Sequence, residues 1–234
     1  MWKANGQACQ QFCTRRELAR TYWTAWYIPR IPWALLGEPK TERGRATRER
    51  IVERAAELFA ERGIAVTSVD EVLAAAGAGK GQFYHYFRGR DDLAAAAVGH
   101  RCAQVVARLT QALGGVSSLA GLEQALAAFI AGFEQMGMPG CPIGTLAAEI
   151  ADRNEDARRQ AAAGFDAWER LLADVLERIR QRGELRADAE PAALATGLLA
   201  SIEGGMVLSQ ARKDIASLRI AVEAGLGQVR AHLS

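Results

Sequence analysis

Within KGQFYHYFRGR the chain spaces four side chains whose chemistry is hydrogen bonding rather than bond breaking: Lys80, Gln82, Tyr84 and Arg90. A lysine ammonium suits a phosphate or the acceptor edge of guanine. A glutamine carboxamide can pair with adenine, and a tyrosine hydroxyl suits phosphate. Thr67, upstream, could add a hydroxyl–phosphate contact, while His85 and Tyr86 offer either further contacts or aromatic packing. Alone, each is an ordinary surface residue; acting together they need a rigid carrier. The flanking pattern supplies one. Ser68 and Glu71 stand in the S-x-x-E relation of a capping box, which starts a helix at Val69. Val69, Val72, Leu73 and Ala76 recur at spacings of three and four and give that helix one apolar face. Gly77 ends it, and Gly79 to Phe87 form a second helix with Phe83 and Phe87 facing inward. Two short helices about a glycine turn make a helix-turn-helix, the unit whose second helix enters the DNA major groove.

The run AGAGKGQFYHYFRGRDDL resembles the recognition segment of the TetR family of bacterial transcriptional regulators. The shared features are Ala76-Gly77, Lys80-Gly81, the aromatic block Phe83 to Phe87, and Arg90-Asp91-Asp92-Leu93. The resemblance spans Thr47 to Leu93, with Gly79 and Gly89 standing where the family often has serine. It implies that Lys80 and Gln82 face the groove and that Tyr84 and Arg90 hold phosphates. GCPIGTLAAEI, Gly140 to Ile150, is similar to a segment in one branch of TetR-type C-terminal domains.

Other chemistries find less support. GAGKG is not a P-loop: the required upstream glycine is Ala74, Gly81 replaces Ser or Thr after the lysine, and a helix precedes the loop. Cys9, Cys13, Cys102 and Cys141 are scattered, so neither a disulfide framework nor a zinc site is expected. Glu149, Asp152, Glu155 and Asp156 read as solvated carboxylates on helix faces and starts. No nucleophile lies beside a base, so no catalytic residue, cofactor or metal is assigned.

The chain's 234 residues are half hydrophobic, enough for a sizeable core, and its net charge of +2 alone does not mark a nucleic-acid binder. Lys40 to Arg50 is locally basic, a plausible phosphate-contacting arm beside a DNA-reading unit. No apolar run reaches the roughly 18 residues of a spanning helix, so a cytoplasmic protein without membrane contact is expected. Residues 1–39, with Trp2, Trp23, Trp26, Trp33 and the helix-breaking Pro29 and Pro32, read as a disordered extension or a start placed too far upstream.

No segment alternates with the period of a strand, so the fold class is all-α. Residues 40–93 form the DNA-binding head, in which Thr47 caps a first helix running to Arg62. Residues 94–234 form a helical body for effector binding and dimerisation. Its helices are expected from Asp91 to about Leu113, Leu119 to Met136, Ile143 to Ala151, Glu155 to Arg182, Ala192 to Gln210 and Asp214 to Leu233. Phe129, Phe133, Met136, Met138, Cys141, Phe165 and Trp168 combine large aromatics, adaptable Met and few charges. Core packing is their plain role; an apolar, aromatic effector pocket is the sharper one. Gly197, Ser201 and Gly204 would let a second copy approach closely, and Leu218, Val222, Leu226 and Val229 form an apolar stripe, so the last two helices are expected to build a four-helix dimer interface. The expected protein is thus a homodimeric repressor that binds a palindromic double-stranded operator and responds to a small molecule. The alternatives are a DNA-binding protein without an effector and an all-α enzyme carrying a helix-turn-helix.

Overall fold

The computed structural model describes Pro39, residues 41–150 and residues 152–234. The expectations for residues 1–38, their tryptophans and Cys9 and Cys13 lie outside the described residues. Nine helices and no strand occur among the described residues: α1 Glu42–Arg62, α2 Val69–Ala76, α3 Lys80–Tyr86, α4 Arg90–Leu113, α5 Leu119–Gln135, α6 Pro142–Ile150, α7 Glu155–Gln181, α8 Pro191–Arg212 and α9 Ala216–Arg230. The all-α expectation therefore holds.

Local chemistry sets most of the boundaries. Ser68 Oγ accepts from Glu71 N at 3.2 Å while Glu71 Oε2 accepts from Ser68 N at 2.8 Å, completing the capping box. The Ser68 N–H, together with the Ser68 hydroxyl donating to the same Oε2 at 2.7 Å and with Arg62 nearby, holds the Glu71 carboxyl below its usual range. Gly77 closes α2 in the left-handed region (φ 58°), a conformation that costs a residue with a Cβ. Asn154 caps α7 through Ala157 N at 2.9 Å.

The first helix departs from expectation. Thr41, not Thr47, is its N-cap, with Oγ1 accepting from Gly44 N at 3.1 Å. Thr47 is buried in mid-helix, its hydroxyl donating to Arg43 O at 2.9 Å. Apart from Gly44, the residues between Thr41 and Thr47 are good helix formers, and Glu42, Arg43, Arg45 and Ala46 continue the helix backward to Thr41. Part of the supposed arm is therefore helix, and some of its cations serve the head. Arg50 Nε donates to Ala76 O at 2.9 Å, meeting the carbonyl end of α2, and the Arg48 guanidinium lies 5.3 Å from the Phe87 ring centre.

Helix α4 packs on α1 in the head and on α6 and α7 in the body, which makes it the shared element. Leu93, Val98 and Cys102 on its inner side are buried. Helices α7, α8 and α9 complete the body. The chain end is held as well: Arg186 N donates to His232 O at 2.9 Å, and Ser234 N to Glu184 O at 3.2 Å.

By length and mean hydropathy alone α8 resembles a membrane-crossing helix, although Glu203 interrupts its apolar run. Its small and aliphatic residues instead serve packing on α7 and α9, with Leu194, Leu198, Ile202 and Met206 buried.

Candidate nucleic-acid interface

Helix α3 has only seven residues, and one aromatic face fixes it. Phe83 and Phe87 are each 1% exposed, with ring centres 5.4 Å apart. Lys80, Gln82, Tyr84 and His85 are exposed around the rest of the helix, and Tyr84 is 68% exposed although its ring meets that of Phe83. Tyr86 is half-buried, edge-on to His85 and Phe87. It therefore packs within the head, the second of the two roles its sequence left open.

Lys80 Nζ lies 3.1 Å from Asp70 Oδ2, with both side chains largely exposed. Such a pair contributes about 0–1 kcal/mol, so exchanging Asp70 for another anion costs little. Both line a groove of about 250 Å³, together with Ser68, Leu73, Phe83 and Tyr84 among others. Gln82 Oε1 accepts from Gly79 N at 2.9 Å. The glutamine thereby supplies the half of a capping box that needs no serine, and Gly79 can start the helix without a side-chain acceptor of its own. That role was legible in the Gly-x-x-Gln spacing.

Two residues of the expected contact set bind the head's own backbone, Thr67 buried and Arg90 exposed. Thr67 is buried, and its hydroxyl donates to Gly63 O at 2.8 Å. The Arg90 guanidinium reaches back over the α1–α2 turn and donates to the carbonyls of Ala65 at 2.8 Å and Thr67 at 3.1 Å, and to that of Ile64. In this conformation Arg90 braces the turn that aims α2. Neighbouring Arg88 pairs with Asp92 at 2.5 Å and holds that carboxyl below its usual range.

One acid read from sequence as solvated has a definite partner. Glu149 Oε1, near the end of α6, accepts from Ala65 N at 2.6 Å. Its partner lies 84 residues away, so no local pattern could have shown it. Glu155 does behave as a surface acid, pairing with Arg158 at 2.6 Å.

The body divides the expected pocket residues. Phe129 and Phe133 stack with centres 6.4 Å apart, and Trp168 meets Phe129 edge-on at 6.3 Å. Phe165 is partly buried against the core. Met136 points away, 67% exposed, because it falls at the C-cap of α5 after the helical stripe has ended. Met138 sits in the connection at φ 56°. Cys141 is buried beside α8; burial and the nearby Glu203 push its thiol up to about 12, so it stays protonated at neutral pH. Glu203, which sequence reasoning did not single out, is raised by burial, and its Oε1 meets no hydrogen-bond partner among the described residues.

The expected dimer residues also separate. Leu218, Val222, Leu226 and Val229 are at most 4% exposed, so they are spent on the protomer's own core. Ser201 Oγ donates to Gly197 O at 2.9 Å, and Gly197 lies against Gln228. Gly204 is exposed with nothing near its Cβ position. The glycine that admits a close neighbour is Gly205, where a Cβ would stand 2.9 Å from both Leu218 Cα and Ala221 Cβ. Large apolar side chains on the outer surface of α8 and α9 are instead Val207, Leu208 and Ile220, which are 58%, 44% and 70% exposed.

Comparison with known proteins bears on both halves. Residues 51–97 match the model for bacterial regulatory proteins of the tetR family. Residues 118–224 match that for the C-terminal domain of LmrA/YxaF-like transcriptional regulators. An uncharacterised HTH-type transcriptional regulator of Mycobacterium tuberculosis is 34% identical over 187 residues, which cover 73% of this chain and 88% of that one. The transcriptional regulator AcuR of Cereibacter sphaeroides is 31% identical over 160 residues, 67% of this chain and 73% of the relative. Among solved structures, reduced E. coli NemR superimposes with a TM-score of 0.66 at 26% identity, covering 81% of this chain and 97% of that one.

Proposed function

This chain belongs to the TetR family of bacterial transcriptional regulators, and from that premise we propose that it is a homodimeric repressor released from its operator by a small molecule. The observation that carries the DNA reading is α3: a buried Phe83–Phe87 face beneath exposed Lys80, Gln82 and Tyr84. Lys80 exchanges Asp70 for a backbone phosphate, Tyr84 gives its hydroxyl to another, and Gln82 faces a base edge. Thr67 and Arg90 act from behind by holding the turn that aims α2.

The test begins with selection of bound duplexes from random DNA. A palindromic site is expected, with affinity falling steeply as salt rises. Tyr84→Phe should weaken binding to selected and random duplexes alike, by roughly 1 kcal/mol for one lost hydrogen bond. A loss confined to the selected site would move Tyr84 from phosphate contact to base reading.

The dimer face is the exposed surface of α8 and α9, with Val207, Leu208 and Ile220 supplying apolar area and Gly204 allowing close approach. Gly204→Leu meets no obstacle inside the protomer, so its effect reports the partner alone. Sedimentation should show a folded monomer at concentrations where the parent protein is dimeric. A folded Gly204→Leu dimer would place the interface elsewhere.

The effector reading rests on residue type: Phe129, Phe133 and Trp168 pack on one another, with Phe133 and Trp168 2% and 3% exposed, so an apolar aromatic compound must part these rings to enter. The effector must bind the DNA-incompetent state more tightly, and operator must lower its affinity by the same factor by which it lowers operator affinity. Repeating the selection and binding measurements with a panel of apolar aromatics tests this. Failure of every compound to release operator would favour a regulator without an effector.

A further inference from the structure

The α1–α2 turn, residues 63–68, sets the angle at which the helix-turn-helix leaves α1, and its polar groups are held from three directions. Thr67 braces it from within through Gly63 O. Arg90, at the start of α4, takes the carbonyls of Ile64, Ala65 and Thr67. Glu149 takes the remaining side, accepting the Ala65 N–H at 2.6 Å with its carboxylate 3.4 Å from the Cβ position of Gly63. Thr67 and Arg90 belong to the head or its junction, whereas Glu149 belongs to the body.

The other end of α6 is anchored in the body. Gln210 of α8 donates to Pro139 O at 2.9 Å, just before the helix. Glu203 of α8 lies against Gly144, whose N–H is received by Cys141 Sγ at 3.2 Å. Nine residues of α-helix span about 13 Å and do not stretch. A displacement of α8 or of the 138–142 connection therefore reaches the Ala65 peptide along a stiff rod.

We propose that Glu149 is a positioning residue for operator binding. Its bond to Ala65 N fixes the head on the body, and hence fixes the spacing and tilt of the two heads of a dimer. The inference rests on the DNA-binding reading above. A palindromic site needs both recognition helices at a set separation, so a head free to swing loses affinity for that site. Random duplex bound through phosphate contacts makes no such demand. Glutamine retains the acceptor oxygen at this position and should largely preserve the latch, whereas alanine removes it.

The test uses the full chain as Glu149→Ala and Glu149→Gln, with the duplex recovered by selection and a scrambled duplex of equal length. In Glu149→Ala, hydrogen–deuterium exchange at the Ala65 amide should accelerate at least about tenfold. Affinity for the selected duplex should fall about tenfold, the low end for a lost hydrogen bond to a charged acceptor, while affinity for the scrambled duplex stays unchanged. Glu149→Gln should lie close to the parent in both measurements. Equal losses on the two duplexes, an unchanged or tighter grip on the selected one, or unchanged Ala65 exchange in Glu149→Ala each overturn the proposal. If the parent protein selects no duplex at all, it is the DNA-binding reading that fails, and Ala65 exchange still reports the latch on its own.

Discussion

Phe83→Ala is expected to abolish DNA binding and to cost the head about 3–5 kcal/mol, the usual penalty for truncating a buried phenylalanine to alanine. Both effects have one origin. Isolated helices shorter than about 12–15 residues are marginal in water, so the seven residues of α3 persist because they are docked. Phe83 is the buried residue of α3, 1% exposed, and α3 packs on α2. Without it the helix loses its inner face, and Lys80, Gln82 and Tyr84 lose the element that aims them. Thermal melts followed beside DNA titrations check the coupling. Tyr84→Phe is the control, since its ring edge stays in place and only an exposed hydroxyl goes. Tight binding to the selected duplex by Phe83→Ala would show that α3 does not carry the interface.

Gly205→Leu should be the most damaging change in the body, although its neighbour Gly204 tolerates the same side chain. A Cβ at Gly205 would stand 2.9 Å from Leu218 Cα, and backbone cannot rotate aside as a side-chain tip can. Helices α8 and α9 must part, opening the layer that holds Leu198, Leu218 and Val222. Overpacking of this kind costs about 3 kcal/mol. For a chain of this size that corresponds to a fall in Tm of roughly 6–12 °C. Gly204→Leu should melt within about 2 °C of its parent when both are compared as monomers, because an exposed helical leucine is no worse than glycine. Similar melting of Gly205→Leu and its parent would mean that the α8–α9 crossing is looser than the geometry shows.

Adjacent glycines with opposite roles illustrate what one sequence can and cannot display. Period and punctuation are local, so the capping box at Ser68, the stop at Gly77 and the nine helices could be read within a turn or so at most ends. The start of α1 was not: Thr47 is a good cap by residue type, but the helix begins at Glu42 with Thr41 as its cap, and Thr47 lies buried within it. Burial across a helix pair is not local. The stripe Leu218, Val222, Leu226 and Val229 looks the same whether it meets α8 of its own chain or a second copy, and only the fold shows that it is already covered. In the head, residue type correctly marked Lys80, Gln82 and Tyr84 as exposed polar groups on α3. It could not show that Arg90 folds back onto the turn, since an arginine offers its donors equally to phosphate or carbonyl oxygen.

The cap at the start of α3 leaves a mark on the alphabet this protein reads. The Gln82 carbonyl oxygen is turned onto Gly79 N, an orientation settled by the donor it meets, since the carboxamide nitrogen cannot accept. The groove is therefore offered the NH₂ end. Pairing with adenine through both ends of the carboxamide would require turning that oxygen outward, and releasing the cap costs about 1 kcal/mol. Two hydrogens alone can be received by N7 of either purine, by O6 of guanine or by O4 of thymine, while cytosine presents only its own amino group there. Under the base contact proposed for it, Gln82 acts as a veto rather than a letter. In an alignment of selected duplexes, the step at which Gln82 meets the base of one strand only should appear on that strand as a column poor in cytosine and undecided among the other three bases, whereas reach to the paired guanine would remove the bias.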